Sequence, residues 1–177
     1  MKKLLFSALC ICAFAITSQA QSYKSFEWDI IKLGYVLPAG DGVTGGISLA
    51  SEPRYNVNDQ FSVGLKWEAA LFGSDIEGAS ISGSGSLALM GDYYISNNEN
   101  NRFFAGLGIG TFSSGTVEVN GMAVGGEAGS NLGIIPRIGY ELGHLRIAAE
   151  YNLPFGEGTK GYLGINLAAT LFGGYKG

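Results

Sequence analysis

Beyond residue 12 the chain contains no cysteine, and the two it has, Cys10 and Cys12, lie in a leading apolar stretch. The rest of the chain therefore has no disulfide framework, no cysteine nucleophile and no thiolate metal site. Histidine is almost as scarce, since His144 stands alone. A catalytic histidine needs a nucleophile or carboxylate within hydrogen-bond reach. Glu141 is close in sequence, but no serine accompanies it. These residues do not make a catalytic constellation, so neither an enzyme nor a bound cofactor is expected. Bases are few, 11 against 15 acids, for a formal charge of −4. That balance argues against a nucleic-acid partner, whose binders carry basic patches. Long apolar runs are missing after the first 20 residues, where no stretch reaches the ~20 residues of a spanning helix. Apolar positions at helical spacing are not sustained either, which leaves an all-β chain.

Glycine is abundant, with 29 among 177 residues, far above the ~7% of an average protein. The chain is nonetheless too apolar and too periodic to be disordered. Its first residues combine Lys2 and Lys3, the run "LLFSALCICAFAI", and small residues at Ser18 and Ala20. This is the pattern of a secretory signal peptide cut after Ala20. A lipoprotein site at Cys10 is disfavoured by the large Leu9 before it. The expected organisation is a signal over residues 1–20 and one domain over 21–177, a suitable length for a single domain. Loss of Lys2 and Lys3 takes the formal charge from −4 to −6.

Eight segments alternate between apolar and polar or small residues: 26–37, 46–55, 60–72, 83–95, 102–112, 132–141, 145–153 and 161–172. Most approach the ~9–11 residues that a tilted strand needs to cross a bilayer. Their connections sort by length. "NVND", "SNNENN" and "LGH" follow the second, fourth and sixth segments and read as tight turns. "PAGDGVTGG", "GSDIEGASIS", "SSGTVEVNGMAVGGEAGSN" and "PFGEGTK" follow the first, third, fifth and seventh. Such strict alternation of short and long connections characterises outer-membrane barrels.

The two faces of the segments differ in kind. One collects Leu33, Leu49, Leu65, Trp67, Leu89, Ile109, Ile138, Ile147 and Leu167. The other collects Lys32, Glu52, Arg54, Lys66, Glu68, Asp92, Arg137, Glu141, Arg146 and Glu150, among glycine, alanine and serine. An eight-stranded barrel has an interior only wide enough for side chains to fill it. Charges placed there must pair, because an isolated buried charge is costly. The balanced charged face is accordingly assigned to the lumen, as a charge network, and the apolar face to lipid. Tyr55, Phe61, Tyr93, Phe103 and Tyr140 border the short turns, while Phe72, Tyr151 and Phe155 lie near the opposite ends. Rings so placed suggest two interfacial girdles.

Several local features read plainly. "GLGIGT" at 106–111 lacks the third glycine and the following helix of a nucleotide loop, so Gly106, Gly108 and Gly110 are small lumen-facing residues. Asp41, Asp75, Glu77, Glu118 and Glu127 occupy the long connections without a recognised calcium spacing and are read as solvated acids. The 113–130 connection is the longest and carries Val117, Val119, Met122 and Val124, which makes it a candidate surface for a partner. Pro136 inside the sixth segment implies a bulge. At the end of the chain Phe172 is followed by "GGYKG", which departs from a strand that finishes on an aromatic residue.

Taken whole, with "FEWDIIKLGYVLP" as its first strand and "GYLGINLAATLF" as its last, the chain resembles the small outer-membrane β-barrel proteins. These are the OmpX-like and OmpA-barrel-like, porin-like group of Gram-negative bacteria. The resemblance rests on the signal, strand count, loop asymmetry and lumen charges. It implies an eight-stranded antiparallel up-and-down transmembrane β-barrel with both ends in the periplasm. Implied partners are outer-membrane lipid, lipopolysaccharide and the barrel-insertion machinery. It carries over no catalytic residue, and the implied role is structural or a surface interaction through outer loops. Two alternatives stay open: a soluble exported lipocalin-like barrel holding a small apolar ligand, and a narrow pore for small solutes.

Overall fold

In the computed structural model the described residues are 22–39, 43–74, 80–98, 101–118, 130–156 and 161–175. They contain eight strands: β1 Phe26–Pro38, β2 Val43–Asn56, β3 Phe61–Ser74, β4 Ser80–Asn98, β5 Asn101–Glu118, β6 Ser130–Leu142, β7 Leu145–Pro154 and β8 Tyr162–Leu171. Each strand runs antiparallel to its neighbour in the chain, and β8 returns to pair with β1. The result is a closed, eight-stranded up-and-down barrel. A closed sheet leaves no open edge along the paired stretch, so each strand satisfies its backbone groups on both sides.

All eight alternating segments became strands, and the largest differences are in length. β4 and β5 extend to Ser80 and Glu118, pairing Ser80 with Glu118 and Ile81 with Val117. This hairpin reaches past the last residues of β3 and β6 that pair with it, Phe72 and Ser130. The short turns and the segments flanking β1 and β8 lie together at one end, and the long connections lie at the other.

Two irregularities depart from simple alternation. β1 bulges between Asp29 and Lys32, so the inward parity passes from Glu27 and Asp29 to Lys32. The extra residue of a bulge is what allows this change of side. The bulge expected at Pro136, by contrast, is absent. β5 pairs with β6 without interruption, Leu107 opposite Pro136. On the other side the ladder to β7 lapses at Ile135–Pro136 and resumes in the same register at Arg137↔Glu150. Proline lacks an N–H to donate, and here the lost rungs are absorbed without an inserted residue. Pro53 is handled likewise, with β2–β3 pairing lapsing between Ser51↔Trp67 and Arg54↔Gly64.

Candidate functional site: the interior and the outer belt

The interior is ionic over much of its length. Lys32, Glu52, Arg54, Lys66, Glu68, Asp92, Arg137, Glu141, Arg146 and Glu150 are all buried inside the barrel, with Lys66 wholly inaccessible at 0% exposure. Three further charges join them that the alternation did not single out: Glu27, Asp29 and Arg102. Glu27 and Asp29 were hidden by the bulge, for which the adjacent apolar pair Ile30–Ile31 is the visible trace in the sequence. Arg102, the first residue of the 102–112 segment and the second of β5, was passed over, although it shares the inward parity of Phe104.

These six bases and seven acids form one connected chain of ion pairs. Near the short-turn end Arg102 donates to both oxygens of Glu27, at 2.7 and 2.9 Å, and also pairs with Glu141. Arg54 bridges Glu141 at 2.6 Å and Asp29 at 3.1 Å. Arg146 pairs with Glu141 and with Asp92, the latter at 2.5 Å. Arg137 is the hub farther up: it reaches Asp92 at 2.7 Å, Glu52 at 2.6 Å and Glu150 at 3.3 Å. Lys32 joins Glu52 at 3.3 Å and also contacts Glu150, while Lys66 joins Glu150 at 2.9 Å and Glu68 at 3.2 Å. The chain ends where the Tyr162 hydroxyl donates to Glu68 at 2.5 Å. Every carboxylate in it faces a guanidinium or an ammonium, which offsets the desolvation that burial imposes.

Glycine makes room for these long side chains. A β-carbon added at Gly106 would stand 2.1 Å from Asp92 Oδ1 and 3.1 Å from Arg137 Cγ. We therefore expect Gly106→Val to lose ~1–3 kcal/mol by overpacking, read as a lower urea midpoint of the refolded barrel. An unchanged midpoint would mean that the hub can shift without loss.

The interior is not ionic throughout. Val36, Ala70, Phe72 and Tyr162 pack together toward the long-connection end, and Ala88, Met90, Phe112 and Ile135 form a second apolar cluster. Phe72 thus belongs to the interior, at 8% exposure, and not to the outer girdle in which its position near the strand end had suggested it. The parity set by Leu71 outside and Ala70 inside decides its side.

Outside, the partition is inverted. Leu33, Leu49, Leu65, Leu89, Ile109, Ile138, Ile147 and Leu167 are all exposed, though apolar. Around the short-turn end runs a ring of exposed Phe26, Tyr55, Phe61, Tyr93, Phe103 and Tyr140, with Phe26 opposite Tyr55, Phe61 opposite Tyr93 and Phe103 opposite Tyr140. Among the described residues no lysine or arginine lies on the outside of a strand. A soluble lipocalin-like barrel requires the reverse, an apolar interior within a polar coat, so that alternative fails on geometry.

His144 occupies the turn after β6, where its Nδ1 lies 3.0 Å from the Thr170 carbonyl. Glu141 points into the lumen, so the structure does not bring the two together. Residues 1–20, with the expected cleavage site, lie outside the described residues, as do Asp41, Asp75, Glu77, Glu127 and residues 119–129 of the longest connection. Glu118 is the last residue of β5. Among the described residues no cluster of histidine and carboxylates has the makings of a metal site.

Comparison with solved structures puts this geometry in context. The crystal structure of Neisserial surface protein A superposes with a TM-score of 0.65 over 85% of this chain and 98% of that one, at 11% identity. The fold is that of the small outer-membrane β-barrels. OprG from Pseudomonas aeruginosa gives 0.57 over 85% of this chain and 96% of its own, again at 11% identity. Ail of Yersinia pestis, solved in complex with the heparin analogue sucrose octasulfate, gives 0.50 over 84% and 100%, at 15% identity. No protein-family model and no curated protein matches the sequence. At identities this low, what an outer-membrane-type barrel shares with its neighbours is backbone topology, and loop chemistry is its own.

Proposed function

We propose that this chain is a non-enzymatic outer-membrane β-barrel, exported by a signal over residues 1–20 cut after Ala20. Its lumen is closed to solutes by the ion network, and it acts as a scaffold for surface contacts made by its long connections. The observation that carries this reading is the inverted partition: exposed leucine, isoleucine and aromatic side chains outside, thirteen paired charges inside. In water an apolar surface of that extent drives aggregation, whereas in a bilayer it is the solvated face. The partners of the belt are outer-membrane lipid and lipopolysaccharide, and the insertion machinery delivers the chain to them. The 113–130 connection, which starts on the extended end of β5 and leads to β6, is the surface offered to a partner.

The chemistry of that surface differs from a polyanion receptor. The four long connections, with 113–130 as the third, carry Asp41, Asp75, Glu77, Glu118, Glu127 and Glu157 against one base, Lys160. Like charges repel sulfated ligands, so sucrose octasulfate, the ligand in the Ail complex, is expected not to bind here.

Fractionation and conductance test the proposal together. The protein is expected in the outer membrane, with a gel mobility that shifts on boiling, and the purified barrel is expected to give no conductance steps in planar bilayers. A soluble protein without the shift would overturn the membrane assignment. Steady single-channel currents would overturn the closed lumen and favour the narrow pore.

A further inference from the structure

The short-turn mouth of the barrel is covered by residues that belong to no strand. Tyr23 and Tyr175 form an isolated antiparallel bridge, with their rings edge to face at 5.8 Å. Lys24 N–H donates to the Gly174 carbonyl at 3.0 Å, and Gly174 N–H donates to Glu27 at 3.4 Å. To reach this position the chain leaves β8 sharply, with Phe172 at φ 60° and Gly174 at φ 100°. Glycine takes such angles freely. A bulky aromatic residue does so only where its surroundings over-determine the backbone.

Tyr23 is the centre of the cover. Although it precedes β1, it is only 4% exposed. Its hydroxyl donates to the Asn98 carbonyl at the end of β4, and its N–H donates to Asp59 at 3.1 Å in the turn between β2 and β3. Ser22 N–H donates to the same carboxylate at 2.9 and 3.0 Å. Beneath the ring, the Arg102 guanidinium lies 4.0 Å from the Tyr23 centroid and 4.1 Å from that of Tyr94. Arg102 is the outermost base of the ion network. One phenol ring thus stands between that network and the water beyond the mouth, tied to β4, to the first short turn and to the segment after β8.

We propose that residues 22–25 and 172–175 form a latch over the short-turn mouth, with Tyr23 as the lid that keeps water from the lower ion cluster. Because its two halves flank β1 and β8, the latch seats only when the seam between those strands has closed. Its opening frees the mouth locally while the upper barrel stays packed. This makes the mouth a second barrier, separate from the ion pairs within.

Single-cysteine labelling tests the latch cleanly, because a Cys10→Ala, Cys12→Ala background contains no other thiol. Ser62 and Ala88 both face the lumen at 1% exposure, Ser62 beside the mouth and Ala88 farther along the barrel. In the otherwise unaltered barrel both the Ser62→Cys and the Ala88→Cys thiols should react slowly with a small charged maleimide. Adding Tyr23→Ala should raise the Ser62→Cys rate by about tenfold and leave Ala88→Cys unchanged, since such rates follow local opening. Tyr175→Ala, which removes only the bridge partner, should raise it by about threefold on the same principle. Equal acceleration at both sites would reveal general loosening and overturn the lid. So would a Ser62→Cys thiol that is already fast, or one that neither tyrosine variant affects.

Discussion

Replacing Arg137 with leucine should largely abolish recovery of the folded, heat-modifiable barrel. Arg137 holds Asp92 through Nε and Nη2, Glu52 through Nη1 and Nη2, and Glu150 through Nη1. Leucine removes the one guanidinium that contacts all three acids. It leaves Asp92 to Arg146 and the Glu52–Glu150 pair to Lys32 and Lys66, three cations for three carboxylates that have lost five hydrogen bonds. Removing one partner from a buried pair costs ~3–5 kcal/mol, a large fraction of the ~5–15 kcal/mol by which native domains are stable. Arg137→Lys is expected to rescue poorly, because an ammonium cannot reproduce the bidentate geometry. A double variant with Asp92→Asn should recover part of the loss, because it removes a charge left in excess. Urea titration of the refolded barrel decides the matter. If Arg137→Leu matches the parent to within experimental error, the network is not what closes the interior.

The second large effect belongs to the outer surface. Leu65 points outward at 44% exposure and pairs with Leu89 on β4. An arginine there would sit in the apolar belt, where a charge near the bilayer midplane costs ~2–4 kcal/mol. Leu65→Arg is expected to reduce folding into lipid vesicles sharply. Ser62→Ala, three residues away on the lumen side, should be close to neutral, because the Ser62 hydroxyl has no hydrogen-bond partner among the described residues. The paired result matters more than either variant alone. Equal tolerance of both would mean that the belt does not face lipid.

The contrast between these positions was legible before any coordinates. Alternation with period two assigns Leu65 and Lys66 to opposite faces whatever the neighbouring strands are. The same rule put all ten singled-out charges on the inward face, including Glu141 and Arg146, which stand at the end and the start of their runs. It failed where the run was locally broken. Ile30 and Ile31 are consecutive apolar residues, and the bulge they mark conceals Glu27 and Asp29. Arg102 opens its run and was passed over, although the outward Phe103 beside it already implied an inward side chain. Phe72 was drawn to the girdle by its place near a strand end, although parity had already assigned it to the interior. At Pro136 a rule about single strands suggested a bulge, but the closed sheet keeps its register and forgoes the rungs.

The sequence by itself determined the class of molecule: eight alternating strands, connections sorted by end, an apolar face and a charged one. These are local properties, written in steps of two residues and in turn chemistry. Only the tertiary structure decided which charges meet. Arg137 and Glu52 are 85 residues apart, and Lys32 and Glu150 are 118 apart. Their encounters depend on strand register and on closure of β1 against β8, neither of which any segment encodes alone. The latch is of the same kind. Tyr23 and Tyr175 lie near opposite ends of the chain and come together because an even number of antiparallel strands returns the chain to the mouth from which it started.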